Sequence, residues 1–245
     1  MKKVLPYNDI ELKLQQLGAG EVFDNSYFTI EASKTTALAK LLSRKVEEGQ
    51  LARLAKGKYY KPKNTIFGTL APFSQQIIKS MTQKNGKTIG YITGIKAYQE
   101  RRLTTQLPSV IEIAIQGKPK PNQKIGNYQF QFVIRKFDFT EEQVPFLQLL
   151  DALKDIKRIP DATITGTIQT IKEIMREMSP NEVETMVDLA QYYPPSVKAL
   201  VGAIVQEVHP STILTPLFSA LNPLSVYKIG VKDNSLQYRK HWKIL

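Results

Sequence analysis

The segment SKTTALAKLLSRKVEEGQLARLAKGKYYKPK, which is Ser33–Lys63, decides how the N-terminal part of this chain is interpreted. It holds nine Lys or Arg against two Glu, a net charge of +7. Its leucines and Val46 recur every three or four residues, a spacing that predicts an amphipathic helix with one buried stripe. We expect Ser33 to cap the start of this helix and Gly49 to end it. Such one-sided charge in a short segment indicates a polyanionic partner.

A basic hairpin is predicted to follow the helix. Two short strands, Leu51–Leu54 and Lys58–Lys61, flank a turn in which Gly57 supplies the positive φ. A helix followed by a basic hairpin is the order found in a winged helix-turn-helix, where one helix enters the major groove and the hairpin, or wing, lies beside it. Upstream, we expect a first helix over Asp9–Leu17 and a short second helix around Val22–Phe28.

The predicted DNA-binding residues lie on the polar face of the helix and on the wing. At about 100° per residue, the face opposite the leucines presents side chains that can reach base edges or phosphates. The cations of the wing are expected to neutralise backbone phosphates. A solvated amphipathic helix followed by a hairpin would explain the same pattern without DNA. The candidate residues are Ser33, Thr36, Lys40, Ser43, Arg44, Arg53, Lys56, Lys58 and Lys61.

The fold class predicted for the whole chain is α+β, with two domains. Residues 1–63 form the winged helix-turn-helix DNA-binding domain, and residues 64–245 form a C-terminal domain that is mixed α/β at first and then mainly helical. Strands are expected at Val110–Ile115 and Tyr128–Ile134, with Gln116–Asn127 as the loop between them.

The helical part of the C-terminal domain has recognisable start signals. Capping boxes at Thr140–Gln143 and Ser179–Glu182 predict two helix N-termini. At the end of the chain, Val226–Ile229 and Leu236–Leu245 are expected to pair as strands.

Composition limits the chemistry that this chain can perform. The 245 residues include no cysteine, which excludes disulfides and thiol catalysis. The two histidines, His209 and His241, lack the spacing of a metal site, and no phosphate-binding glycine loop occurs. We therefore expect no cofactor, no metal and no enzymatic activity. Of the net charge of +12, residues 151–245 carry only +1.

The chain is expected to be cytoplasmic and to have no membrane partner. No apolar run approaches the roughly 18 residues that a membrane span requires. No leader pattern follows Met1, since the basic start is broken at Pro6.

Two groups of motifs resemble known antitoxins. The run Leu42–Pro62 resembles the winged-helix end of the AbiEi-type antitoxin domain. The segment Thr93-Gly-x-x-Ala97 with Leu103-Thr-Thr-Gln-Leu-Pro108 is similar to the "TGxxA…LTTQxP" segment of an uncharacterised family grouped with those antitoxins. The likeness continues nearly to Trp242, through Leu150–Leu153, Tyr193–Gly202 and Leu221–Gly230.

This resemblance implies a bacterial antitoxin of the type IV toxin–antitoxin or abortive-infection class. Its winged helix would bind its own operator, a duplex DNA, and repress its operon. Its C-terminal domain would counteract a nucleotidyltransferase-like toxin, often without a stable complex. Relatives tend to have a clearer second helix than Asp24–Ala32.

Two other interpretations stay open. The chain could be a non-catalytic interaction module whose basic face binds RNA or an acidic protein; an enzyme is the third possibility. The Thr104-Thr105-Gln106 segment is equally compatible with a demanding loop conformation and with a functional role.

Overall fold

The computed structural model describes residues 7–28, 30–66, 68–84, 86–231 and 235–245. Within them the chain is a mixed α+β protein with helices and several small sheets, as the sequence predicts at this level. No helix in these ranges is both long and apolar enough to cross a membrane. The helices are α1 (Tyr7–Gln16), α2 (Thr35–Glu47), α3 (Ser74–Thr82), α4 (Gly94–Glu100), α5 (Val144–Lys154), α6 (Ile164–Arg176), α7 (Pro180–Ala190), α8 (Pro195–Val208) and α9 (Thr215–Ser219).

The strands are short, and they form small separate sheets. One antiparallel sheet has the order β1-β3-β2, β4 pairs with β5, β6 pairs with β7, and a further sheet has the order β10-β11-β9-β8. The strands are β1 (Val22–Asp24), β2 (Ala52–Ala55), β3 (Lys58–Tyr60), β4 (Lys63–Thr65), β5 (Gly68–Leu70), β6 (Gln83–Lys84), β7 (Lys87–Thr88), β8 (Gly90–Thr93), β9 (Val110–Gln116), β10 (Gln123–Ile125) and β11 (Tyr128–Arg135).

The chain divides into two compact units. Unit 1 comprises Met1–Tyr91 with Pro119–Phe132, and unit 2 comprises Ile92–Lys118 with Val133–Leu245. Residues 64–91 and 119–132 therefore group with the N-terminal segment, whereas the sequence boundary falls at residue 63.

One hydrophobic core in unit 1 joins α1, α2 and the β1-β3-β2 sheet. Phe23 on β1 and Tyr59 on β3 are paired in register, and their rings stack. Phe28 meets Phe23 edge to face, with ring centroids 5.8 Å apart, a favoured aromatic geometry. The core residues are Ile10, Leu14, Leu17, Phe23, Phe28, Leu38, Leu41, Leu42, Leu51 and Tyr59.

The expected second helix at Val22–Phe28 is wrong. Residues Val22–Asp24 form strand β1, and a single 3-10 turn over Asn25–Tyr27 follows. The Asp24 carboxylate accepts hydrogen bonds from the backbone N–H of Ser26 (2.8 Å) and from its hydroxyl (2.6 Å). The backbone N–H and C=O groups of this segment find partners in strand β3 and in the 3-10 turn. They therefore do not need the hydrogen bonds of a helix.

The expected cap at Ser33 is also wrong. Helix α2 begins at Thr35, directly after a 3-10 turn over Ala32–Lys34. The Ser33 hydroxyl donates to Glu31 Oε2 at 3.3 Å. Because Lys34 already has helical backbone angles, the 3-10 turn leads the chain into the helix without a capping side chain.

Two other local predictions differ from the structure. The segment Gln116–Asn127 is not all loop, since it contains β10, where Ile125 is buried opposite Tyr128 of β11. The capping box at Thr140 does not start α5, which begins at Val144. There the Gln143 side chain accepts from the Thr140 N–H at 3.0 Å and closes a turn ahead of the helix.

Packed helices form the core of unit 2. Helix α5 contacts α4, α7 and α8, and α8 also contacts α6 and α9. The predicted box at Ser179 is confirmed, because its hydroxyl and the Glu182 side chain cap each other's backbone N–H. The strands expected at Val226–Ile229 and Leu236–Leu245 do not form, and the two segments are joined by one parallel bridge, Tyr227 with Ile244. Trp242 packs directly over Gly202 of α8, where a Cβ atom would overlap the indole ring.

Candidate nucleic-acid interface

Helix α2 has one buried face and one exposed face. Leu38, Leu41 and Leu42 are buried in the core of unit 1, with exposed fractions of 2%, 6% and 0%. On the other side, the predicted DNA-contacting side chains are exposed: Thr36, Lys40, Ser43 and Arg44. The helix ends at Glu47, and Gly49 follows with a φ of 71°, as the sequence predicts.

The two cations near the end of α2 have different surroundings. Lys45 is mostly buried and forms an ion pair with Glu11 of α1 at 3.0 Å, and the hydrogen bond to Glu11 raises the pKa of Lys45. Arg44 is more than half exposed and meets Glu48 at 3.5 Å. An exposed pair of this kind contributes little to stability, so its cation can exchange partners. Lys45 therefore joins two helices, whereas Arg44 is presented to solvent.

The hairpin β2–β3 presents two of its four predicted cations to solvent. Arg53 lies on β2 and Lys56 at the turn, and both are exposed. Ala55 and Lys58 close the turn as a pair, and Gly57 within it has a φ of 73°, as expected for a tight hairpin.

The other two hairpin cations contact the protein itself. The Lys58 ammonium donates to the backbone oxygen and the hydroxyl of Ser80, at 2.9 and 2.8 Å. Lys61 donates to the carbonyls of Gln15 and Leu17, at 3.0 and 2.9 Å. Because the last carbonyls of a helix lack partners within it, Lys61 serves as a C-terminal cap for α1. Seven of the nine predicted residues are thus exposed, while Lys58 and Lys61 hold elements of unit 1.

Unit 2 contains a buried polar network that the sequence did not indicate. Asp151 on α5 is fully buried and accepts from Thr93 Oγ1 (2.6 Å), from Arg135 Nη2 (2.5 Å) and from the Tyr193 hydroxyl (2.9 Å). These donors are 58, 16 and 42 residues away along the chain. Since the carboxylate is paired and shielded from solvent, the network positions secondary structure rather than reaching a ligand.

Two further acidic side chains, Asp155 and Glu112, lie near this network. Tyr98 donates to Asp155 at 2.8 Å, and burial together with Asp155 raises the pKa of the Tyr98 hydroxyl. Glu112 on β9 covers Gly94, where a Cβ atom would overlap its carboxylate. Burial, and then the charge of Asp155, raise the pKa of Glu112. Gly94 also has a φ of 65°, so both its backbone angle and the close approach of this carboxylate favour glycine at this position of the TGxxA motif.

The Thr104-Thr105-Gln106 segment has a structural explanation at its first residue. Thr104 is buried, and its hydroxyl donates to the Pro160 carbonyl at 2.6 Å. The same oxygen accepts from the Gln106 N–H at 3.2 Å. Thr105 and the Gln106 side chain are exposed. Within this motif, then, Thr104 fixes the loop in unit 2.

The histidines and acidic residues do not form a metal centre in the part of the chain that the structure describes, where no three metal-binding side chains cluster. His209 Nε2 lies 2.6 Å from the Met175 carbonyl oxygen. His241 stacks on Phe218 with ring centroids 4.9 Å apart.

These features describe a mixed α+β protein in which an exposed, basic helix face precedes a basic hairpin. The chain belongs to the DUF6088 family, a family of unknown function whose model matches residues 9–183. Among solved structures it is similar to the RV2827C protein from Mycobacterium tuberculosis, at 9% identity and a TM-score of 0.50, over 93% of this chain and 85% of that one. At this identity the likeness concerns the fold alone. No curated protein sequence matches the chain.

Proposed function

We propose that unit 1 contains a winged helix-turn-helix that binds duplex DNA, with α2 as the recognition helix and the β2–β3 hairpin as the wing. The order of α1, β1, α2, β2 and β3 and the sheet order β1-β3-β2 support the proposal, because a winged helix returns its hairpin onto the first strand in this way. The observation that carries it is the exposed face of α2, where Lys40 and Arg44 are one turn apart.

The two elements have different roles in this proposal. Arg44 offers a planar fork that can read a guanine edge, and Lys40 lies one turn before it. Arg53 and Lys56 neutralise backbone phosphates, a contribution that is insensitive to sequence and that salt weakens. Lys58 and Lys61 already donate to acceptors within unit 1, so the proposal assigns the main phosphate contacts of the wing to Arg53 and Lys56.

DNA affinity measured by fluorescence anisotropy tests this proposal. The full chain is titrated onto the duplex upstream of its own gene, onto a random duplex and onto tRNA, across a salt series. Lys40→Ala and Arg44→Ala should each cost about 1–3 kcal/mol on the specific duplex. Lys56→Ala should weaken both duplexes alike and lower the salt slope by about one unit.

Matched controls keep these results interpretable. Lys240→Ala and Arg176→Ala each remove one exposed cation from unit 2 and should leave DNA affinity unchanged. If the control variants lose as much DNA affinity as the α2 variants, the loss reflects only the net charge of the protein, and the proposal is contradicted. Preference for tRNA over both duplexes would favour the alternative, a module that binds RNA.

The wider role that we propose is that of an antitoxin-like autoregulator without catalysis of its own. It rests on the resemblance to AbiEi-type antitoxins described above. The neighbouring gene is the first test, because a nucleotidyltransferase-like toxin should be encoded beside it. Expression of that toxin should arrest growth, and co-expression of this chain should restore it. Growth arrest that persists despite co-expression would contradict this role, while leaving the DNA-binding proposal intact.

A further inference from the structure

A small pocket in unit 1 gathers three lysines from distant parts of the chain. It has a volume of about 130 Å³, and its lining includes Lys58 of β3, Lys84 of β6 and Lys120, which precedes β10. The other polar residues of its lining are Asp24, Ser80, Gln83 and Gln123. No local sequence signal links these residues, because they are brought together by the packing of unit 1.

The charges in this pocket are unbalanced. Three ammonium groups face one carboxylate, that of Asp24, so the lining carries a net charge of +2. The residues that line the pocket include no second acidic side chain. Like charges in a concave, partly dehydrated site repel each other, and a bound anion would relieve that repulsion.

The ionisation of the lysines agrees with this crowding. Burial lowers the pKa of Lys58, and the charge of Lys120 lowers it further. Burial also lowers the pKa of Lys120, and Lys84 adds to that effect. Asp24 opposes both shifts without cancelling them.

Two of the three lysines also have contacts that position them, whereas Lys84 is exposed. Lys58 uses two of its protons on Ser80, which leaves its third proton for a ligand. The Lys120 ammonium lies 5.6 Å from the centre of the Phe132 ring, a cation–π distance. Both head groups are therefore positioned before a ligand arrives.

We propose that the Lys58–Lys84–Lys120 pocket binds a phosphate monoester or inorganic phosphate. A dianionic phosphate matches the net charge of +2, and its oxygens can accept from several ammonium groups at once. A carboxylate brings only one charge, and so does a phosphodiester of the DNA backbone. The site thus goes beyond the proposed DNA contacts and does not depend on them.

Isothermal titration of the full chain with inorganic phosphate and with adenosine monophosphate tests the proposal, with potassium chloride at equal ionic strength as the reference. The wild type should bind both phosphates. The variant Lys84→Gln with Lys120→Gln should bind them about tenfold more weakly or worse, because it loses two charge-assisted contacts. Lys58 is left unchanged, since it also holds Ser80.

The control variant is Lys79→Gln with Lys124→Gln. It removes the same charge from exposed positions of unit 1 that do not line the pocket. It should bind phosphate like the wild type, and circular dichroism should show that both variants are folded. Equal losses in the two variants, or a wild type that responds to phosphate no more than to chloride, would overturn the proposal.

Duplex DNA is titrated as the third ligand. It distinguishes binding of free phosphate from binding of the phosphodiester groups of the DNA backbone. If the Lys84→Gln, Lys120→Gln variant loses affinity for free phosphate but keeps its affinity for DNA, the result supports a pocket that binds a free phosphate ligand. A wild type that binds no free phosphate, together with a pocket variant that loses DNA affinity, overturns the monoester assignment and assigns the pocket to the DNA interface.

Discussion

Replacing Asp151 with Asn should destabilise unit 2 severely, although the two side chains have nearly the same shape. The Asp151 carboxylate is fully buried, and the Arg135 side chain opposite it is 9% exposed. Both carboxylate oxygens accept from the same guanidinium nitrogen of Arg135. In the Asn variant an NH2 group replaces one of these oxygens. A hydrogen-bond donor of the amide then faces the guanidinium donor of Arg135.

The magnitude follows from the charge that is left behind. Removing one partner of a buried ion pair costs roughly 3–5 kcal/mol, because the remaining charge loses its counter-ion at a site that is largely shielded from water. Domains are typically stable by about 5–15 kcal/mol, so the loss consumes a large part of the total. If the guanidinium is the cause, adding Arg135→Met should restore part of the stability lost by Asp151→Asn.

Urea unfolding followed by the fluorescence of Trp242 measures this effect. Trp242 is the only tryptophan and lies in unit 2, so its emission reports the unfolding of that unit. Asp188→Asn removes an exposed carboxylate from α7 and should change stability by no more than about 0.5 kcal/mol. A loss below about 1 kcal/mol for Asp151→Asn, or a double variant less stable than Asp151→Asn alone, would refute the reasoning.

Three other predictions concern unit 2. Gly202→Ala should cost about 1–3 kcal/mol and shift the Trp242 emission to the red, since the new methyl group displaces the indole ring; unchanged emission would contradict this. Ser179→Ala should cost about 1 kcal/mol in urea unfolding, because the capping box is lost, and Ser196→Ala, at the start of α8, should cost less. Glu112 has a raised pKa, so the folded state holds its proton more tightly and stability falls as pH rises through that pKa. Glu112→Gln should therefore raise the urea midpoint at pH 7 but not at pH 4, and an equal gain at both would count against this.

Some local elements of this protein could be predicted from the sequence, although the caps expected at Ser33 and Thr140 do not start the helices that follow them. The leucine spacing of α2, the glycine turn of the β2–β3 hairpin and the capping box at Ser179 each depend on residues within a few positions of one another. Periodicity and capping act over this range, so the chain encodes them without reference to its partners. The exposed basic face of α2 was predictable for the same reason, because the buried leucines determine which side is left to solvent.

The roles of single charged residues were decided by the tertiary structure. Lys58 and Lys56 look equivalent in sequence, but Ser80, 22 residues further on, holds Lys58, while Lys56 is exposed. Strand β1 exists because β3 pairs with it, although its own residues allowed a helix. Asp151 finds its donors 16 to 58 residues away. Burial and pairing arise only when distant segments meet, and no local pattern carries that information.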